Sequence, residues 1–169
     1  MTKRTALEII DCFNQKSVRY WLIGGWAIDF LCSVEKLHKD IDFLVADNQQ
    51  SLVDDALRSI RFEIIVNNGS WNDGNVFYVR GHDNALVDLA PIRNSNPPTL
   101  IGQYESIAFP QALLEIHLLK ADGRSVRTLA PAMHIAIKHG IAAIFNGLRE
   151  KDQEEIQLLE RYGKGAHVN

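Results

Sequence analysis

The fold is decided by residues 20–45, which read YWLIGGWAIDFLCSVEKLHKDIDFLV. The bulky run from Tyr20 to Ile23 stops at two glycines, which predicts a buried strand that ends in a tight turn. Trp26 to Cys32 is apolar almost throughout and predicts a short buried helix. Ile41 to Val45 predicts a second strand, so the stretch is expected to form strand, turn, helix and strand.

Further helices and strands are predicted on both sides of this stretch. Hydrophobic spacing predicts helices at residues 5–16, 48–60, 131–146 and 151–162, and strands at 62–66, 76–79, 85–92 and between 113 and 127. Strands interleaved with helices come first, and helices come last. This order predicts an α/β or α+β fold with a sheet domain at residues 1–130 and a C-terminal helical lobe at 131–169, together forming one structural unit.

The composition is that of an ordinary globular protein. Hydrophobic residues make up 46% of the chain, which is enough apolar material to exclude disorder as the main state. The net charge of -3 argues against a protein that binds long nucleic acid through a basic face. No apolar run approaches the roughly 18 residues that span a bilayer, so no membrane partner is expected. Two cysteines, Cys12 and Cys32, do not form a disulfide framework, which predicts a cytoplasmic location.

Two acids, Asp40 and Asp42, stand two residues apart on the second predicted strand. Because strand side chains alternate between faces, both carboxylates are expected to point the same way. Hard oxygen ligands of this kind suit Mg²⁺. A strand edge decorated with solvated acids has the same pattern.

A third acid, Asp88, stands alone in the apolar segment from Ala85 to Pro91. Burying a lone carboxylate is costly unless it is paired or binds a metal. If its strand lies beside that of Asp40 and Asp42, the three acids could hold two cations about 4 Å apart and align a phosphoryl or nucleotidyl transfer. A salt bridge from Asp88 to an arginine is the alternative.

The diglycine at Gly24 and Gly25 is the third signal. Without a Cβ, the backbone can approach a phosphate closely, and the helix that follows begins with free N–H groups. Neither a Walker loop nor a dinucleotide fingerprint accompanies the two glycines. Such a pair is also compatible with an ordinary turn.

Together these motifs resemble the polymerase-beta-like nucleotidyltransferase superfamily, and most closely its small antibiotic nucleotidyltransferases of the lincosamide and aminoglycoside 2''-type. The resemblance is carried by WLIGGWAID at 21–29, HKDID at 38–42, LVDLAP at 86–91 and DGRSVRTLAP at 122–131. It implies a mixed β-sheet with flanking helices. It also implies Mg²⁺-dependent transfer of a nucleoside monophosphate from ATP or another nucleoside triphosphate to a hydroxyl of a small acceptor, such as a lincosamide or aminoglycoside, with release of pyrophosphate.

The resemblance also implies roles for the motif residues. Asp40, Asp42 and Asp88 would bind two Mg²⁺ ions, and Asp88 would complete the site and take the proton from the acceptor hydroxyl. Gly24 and Gly25 would hold the triphosphate. Many small relatives pair their sites across a dimer, so a homodimer is compatible with the resemblance.

Four further residues have less specific signals. Lys138 is implied as a phosphate contact, although a solvated lysine is equally compatible. Lys36 stands where relatives carry an arginine and can act only as a point charge. His38 could orient a phosphate, support Asp40 or simply pack. Asp29 is interpreted as structural support.

Several alternatives stay open from the sequence. The segment from Arg149 to Asp152 is either a solvated helix start or a phosphate contact, and Trp71 and Tyr78 belong either to an acceptor pocket or to the core. The same fold could modify a protein or a transfer RNA, as toxin-like members of the superfamily do. A non-catalytic module that binds a nucleotide or a partner is a third hypothesis.

Overall fold

The computed structural model describes residues 1–65, 71, 73–102, 105 and 109–165. The strands in these ranges are β1 (Tyr20–Ile23), β2 (Asp40–Ala46), β3 (Glu63–Ile64), β4 (Val76–Arg80), β5 (Ala85–Arg93), β6 (Thr99–Leu100), β7 (His117–Ala121) and β8 (Arg124–Thr128). The helices are α1 (Lys3–Gln15), α2 (Gly24–Cys32), α3 (Gln50–Ser59), α4 (Pro131–Ile144) and α5 (Glu150–Gly165). Short 3-10 helices occur at Asp47–Gln49 and Gln111–Leu114.

The strands form one mixed sheet in the order β3-β4-β5-β2-β1-β8-β7, with β6 paired to β5. The centre of the sheet is the parallel pair of β2 and β5, and β1 runs antiparallel to β2 on its other side. β4 pairs antiparallel with β5, and β1 pairs in parallel with β8. This arrangement confirms the predicted α+β fold with a mixed sheet and flanking helices.

The two faces of the sheet bury different sets of residues. Along β2, Ile41, Phe43 and Val45 point into the main core, which also contains apolar residues of α1 and α3. Leu44 points to the other face, where it clusters with Ala90 of β5 and Ile137 of α4. The alternation of strand side chains therefore separates the main core from the face that carries Asp40 and Asp42.

The two C-terminal helices pack on different parts of the fold. Ile137 of α4 is buried against the sheet, whereas Leu159 of α5 clusters with Ile28 and Leu31 of α2. The predicted lobe is thus in contact with both the sheet and α2. A boundary at residue 130 stays a prediction. None of the helices in the described ranges is both long and apolar enough to cross a membrane.

Some predicted boundaries were wrong. Helix α2 begins at Gly24 rather than at Trp26, because the diglycine forms its first turn. The predicted strand residues at 113 and 114 lie in a 3-10 helix, and β7 begins only at His117. The prediction of a strand at 62–66 extends to a residue outside the described ranges; within them β3 is limited to Glu63–Ile64.

Candidate functional site

The register between β2 and β5 brings two of the predicted acids together. Asp42 lies directly opposite Asp88 in the parallel ladder, and Asp40, two residues earlier on β2, faces the same side. The Asp88 carboxylate accepts hydrogen bonds from Asn75 Nδ2 at 3.0 and 3.4 Å. No arginine in the described part of the chain is paired with it. The salt-bridge alternative for Asp88 is therefore wrong.

The electrostatics of these acids reflect their crowding. Burial, followed by the negative charges of Asp40 and Asp88, raises the pKa of Asp42 to about 7, although Lys151 and Lys138 oppose the change. Burial, followed by the charge of Asp40, raises the pKa of Asp88 to about 7, against the hydrogen bond from Asn75. Two neighbouring carboxylates resist joint ionisation unless a cation lies between them. A bound cation would therefore stabilise the ionised form of both Asp42 and Asp88.

The acids alone do not provide a complete set of metal ligands. Within the ranges that the structure describes, no three His, Cys, Asp or Glu side chains converge closely enough to hold an ion by themselves. Mg²⁺ usually binds through one or two carboxylates and completes its octahedron with water and substrate phosphates. The arrangement therefore suits a cation that arrives with a phosphate ligand better than a permanently bound structural metal.

The diglycine is required by its surroundings. Gly24 has a φ of +67°, and a Cβ placed on it would overlap the Asp42 carboxylate. A Cβ placed on Gly25 would overlap the imidazole of His38. The cap residue Ile23 makes no side-chain hydrogen bond to the first turn of α2. The backbone at the start of α2 thus lies directly beside the acidic pair.

The His38 ring packs against the first turn of α2 at Gly25. It is buried, and its Nε2 lies 2.7 Å from Oδ2 of Asp29, which is also buried. The same Asp29 oxygen accepts the backbone N–H of Lys36 at 2.8 Å. The His38 ring packs against that of Trp26, with 4.7 Å between the ring centroids and 51° between the ring planes. These contacts favour a supporting role for His38 and Asp29 over direct phosphate contact.

A network of ion pairs joins α4 to α5. Lys138 Nζ donates to Asp152 Oδ1 at 2.9 Å and also to Glu155. Arg149 donates to Asp152 at 2.6 and 3.0 Å, and Lys151 Nζ lies 3.6 Å from Glu155. The hydrogen bond from Arg149 is the main reason that the pKa of Asp152 falls well below its usual range. Three cations thus share two largely buried acids.

This cationic network lies within electrostatic reach of the acidic pair. Lys151 and Lys138 lower the pKa of Asp42, while Asp42 contributes to the raised pKa of Arg149. Lys36 lies elsewhere. It lines a second cavity together with Trp26 and Lys3, and its Nζ is 3.7 Å from Glu154.

A cavity of about 570 Å³ lies over the acidic pair, between the sheet and α4. Its polar lining residues are Asp42, Asn75, Asp88, Arg149 and Asp152, and its apolar lining residues are Ile23, Phe43, Leu44, Ala90, Leu100, Ile137, Ile141, Ala142 and Phe145. Trp71 and Tyr78 belong to the main core, on the opposite side of the sheet. Their alternative assignment to an acceptor pocket is therefore wrong.

Sequence reasoning missed Asn75 and Glu155. Asn75 immediately precedes β4 and touches Asp88 only because β4 pairs with β5. Glu155 resembles any charged residue of an amphipathic helix, yet it is only 2% exposed. Glu155 and Asp152 are three residues apart, so the sequence does indicate that they share one face of α5. The sequence does not indicate that this face is buried, because that depends on how α5 packs against the rest of the fold.

Residues 5–100 match the sequence profile of the family described as aminoglycoside-2''-adenylyltransferase. The matched range contains the diglycine and the acids at 40, 42 and 88. A lincosamide resistance protein of Staphylococcus haemolyticus is 28% identical over 93 residues, which are 54% of this chain and 55% of that protein. The match therefore spans about half the length of this curated relative.

Solved structures of antibiotic nucleotidyltransferases share the fold. The lincosamide antibiotic adenylyltransferase LnuA, crystallised with lincomycin, superposes with a TM-score of 0.71 at 20% identity, covering 95% of this chain and 97% of that one. ANT(2'')-Ia in complex with adenylyl-2''-tobramycin superposes with a TM-score of 0.68 at 20% identity, covering 94% and 88%. Together with the profile match, these likenesses confirm the resemblance that the sequence motifs indicated.

Proposed function

Because the chain belongs to the aminoglycoside-2''-adenylyltransferase family, whose members are nucleotidyltransferases, we propose that it transfers a nucleoside monophosphate to a hydroxyl of a small acceptor. The donor would be a nucleoside triphosphate, with ATP as the first candidate. The acceptor would be an antibiotic of the lincosamide or aminoglycoside type, as the names of its relatives suggest. The observation that carries the proposal is the register of Asp42 opposite Asp88, beside the Gly24 backbone.

The proposed reaction is a single displacement at phosphorus. The acceptor oxygen forms a bond to the α-phosphorus, while the bond from that phosphorus to the oxygen bridging to the β-phosphate breaks. Pyrophosphate leaves with the bridging oxygen. The hydroxyl proton passes to the carboxylate of Asp88, which would act as the general base.

The donor set fits magnesium. Asp40, Asp42 and Asp88 offer only carboxylate oxygens, and the mutual repulsion of these acids favours a cation among them. We propose that they hold two Mg²⁺ ions. When bound, such ions neutralise phosphate charge and orient the attacking and leaving oxygens.

The remaining groups would hold the triphosphate. The N–H groups at the start of α2 would contact a phosphate that is held beside the acidic pair. Lys138, Lys151 and Arg149, which immediately precedes α5, would supply positive charge. Lys36 would have to leave Glu154 to take part, so its role stays a prediction. A cytoplasmic location and a homodimer also stay predictions.

Thermal denaturation with nucleotides tests the donor site. We expect ATP with Mg²⁺ to raise the melting temperature, because a ligand at about 100 times its Kd adds roughly 2.7 kcal/mol to the free energy of unfolding. Asp40→Asn should abolish the shift. Asp55→Asn, which removes an exposed acid on α3, is the matched control and should retain it.

A transfer assay with a labelled nucleotide then tests the acceptor. We expect label on a lincosamide or an aminoglycoside, and none with Asp42→Asn. Label on protein or transfer RNA would instead support the toxin-like alternative. Nucleotide binding without any transfer would support a non-catalytic module.

A further inference from the structure

We propose that the acceptor is an amphipathic hydroxyl compound with at most one cationic group, bound with its apolar side against the cavity wall formed by Leu44, Ala90, Ile137 and Ile141. This inference rests on the proposed function and specifies the chemistry of its acceptor. It excludes a polycationic acceptor.

The apolar wall begins directly beside the reacting groups. Leu44 and Ala90 follow Asp42 and Asp88 by two residues on their strands, and they are also partners in the same parallel ladder. Side chains two residues apart lie on the same face of a sheet. An acceptor whose hydroxyl reaches Asp88 would therefore have its neighbouring atoms above Leu44 and Ala90, which are 1% and 9% exposed and form the floor of the cavity.

Helix α4 supplies the opposite side of the wall. Ile137 is buried with Leu44 and Ala90 in one cluster, and Ile141 packs against that cluster while remaining partly exposed. Phe145, just beyond α4, lines the same cavity and is 60% exposed. The exposure of the apolar lining residues thus increases from Ile137 to Ile141 to Phe145. Such a cavity suits a ligand that buries one apolar side and keeps the other in solvent.

The charges of the cavity do not suit a polycation. All 21 acidic residues of the chain lie in the described ranges, and three of them, Asp42, Asp88 and Asp152, line the cavity. The first two are the proposed metal ligands. Asp152 already accepts hydrogen bonds from Arg149 and Lys138. A polycation would find no lining carboxylate free for its amines, and it would face the cations of the α4–α5 network.

Equilibrium binding to the full chain, measured by calorimetry, tests the inference. The probes are lincomycin, which has one basic amine and an apolar side, tobramycin, which has several amines, and ATP with Mg²⁺. We expect lincomycin to bind at least about tenfold more tightly than tobramycin. Ile141→Asn should weaken lincomycin binding by about tenfold, since it removes one apolar side chain from the contact, and should leave ATP binding unchanged.

Ile135→Asn is the matched control on the same helix. Ile135 is also partly exposed, but it packs against the cluster of Ile28, Leu31 and Leu159 rather than lining the cavity. We expect it to leave the binding of all three probes unchanged. Melting temperatures of both variants establish that each is folded at the temperature of the titration.

Three results would overturn the inference: tighter binding of tobramycin, no binding of either antibiotic, or an Ile141→Asn variant that weakens ATP and leaves lincomycin unchanged. The last result would mean that the wall holds the nucleobase. Failure of ATP to bind would contradict the proposed function instead. The lincomycin titrations would still decide the acceptor class in that case.

Discussion

Gly24 combines an unusual backbone conformation with direct contact to an acid of the candidate site. Its φ of +67° lies in the left-handed region, and the missing Cβ leaves the space that the Asp42 carboxylate occupies. A side chain here would incur backbone strain and displace a proposed metal ligand. The same glycine thus sets the turn and the position of the acid.

We predict that Gly24→Ala lowers the free energy of unfolding by about 1–2 kcal/mol from backbone strain alone, and abolishes transfer activity. Chemical denaturation and the labelled-nucleotide assay measure the two effects. Gly81→Ala is the control, because a Cβ at Gly81 meets no atom within 4 Å and its φ is not positive. A Gly24→Ala variant with full activity would contradict the proposed closeness of the turn and the metal site.

The raised pKa of Asp42 predicts a pH dependence of stability in the metal-free protein. The folded state keeps a proton on Asp42 up to about pH 7, whereas the unfolded chain loses it near 3.8. Between these values the folded state binds more protons, so stability falls as pH rises, by up to about 1.4 kcal/mol per pH unit. Relative to Asp42→Asn, the wild type should therefore lose stability from pH 4 to pH 7.

Denaturation curves of both proteins across this range measure the difference. Added Mg²⁺ should reduce it at neutral pH, because the cation stabilises the ionised carboxylates. A constant stability difference between wild type and Asp42→Asn would show that Asp42 ionises normally in the folded protein.

At the scale of elements, α4 and α5 are held together by charge as well as by apolar contacts. Lys138 of α4 meets Asp152 and Glu155 of α5, and Glu155 is only 2% exposed. A buried ion pair adds little stability over an apolar pair, but losing one partner is costly because the other charge stays buried. The network therefore fixes the orientation of its lysine and arginine side chains. Replacing one of its acids should destabilise the protein, because a cation then loses its partner.

We predict that Glu155→Gln lowers the free energy of unfolding by about 2–4 kcal/mol, since Lys138 and Lys151 lose a buried counter-ion. Glu154→Gln on the same helix is the matched control. Its side chain is 61% exposed and pairs with Lys36 at 3.7 Å, so the loss should stay within about 0.5 kcal/mol. Equal effects of both substitutions would contradict the assignment of Glu155 to a buried network.

In the molecule as a whole, the cavity exists because the C-terminal helical segment packs over the centre of the sheet. Its floor comes from β2 and β5, and its opposite side from α4 and the segment that leads into α5. The acids proposed to bind metal and the cationic network thus belong to different parts of the sequence. Neither part holds the complete site.

We predict that a chain ending at residue 130 does not unfold cooperatively. The truncation exposes Leu44 and Ala90, which α4 covers, and Ile28 and Leu31, which α5 covers. Calorimetry of the truncated and the full chain measures the difference. A truncated chain with a sharp transition near that of the full chain would make residues 1–130 an independent domain.

Local sequence patterns were enough to predict the strand and diglycine that begin the site, the alternation that puts Asp40 and Asp42 on one face, and the two C-terminal helices. These features depend on interactions between residues close in sequence, which produce a regular spacing of hydrophobic residues along the chain. Three relations became visible only in the folded chain. Asp88 lies opposite Asp42, Asn75 donates a hydrogen bond to Asp88, and Arg149 lines the cavity whereas Lys36 does not. Those relations depend on strand pairing and helix packing between distant residues, and no local pattern encodes them.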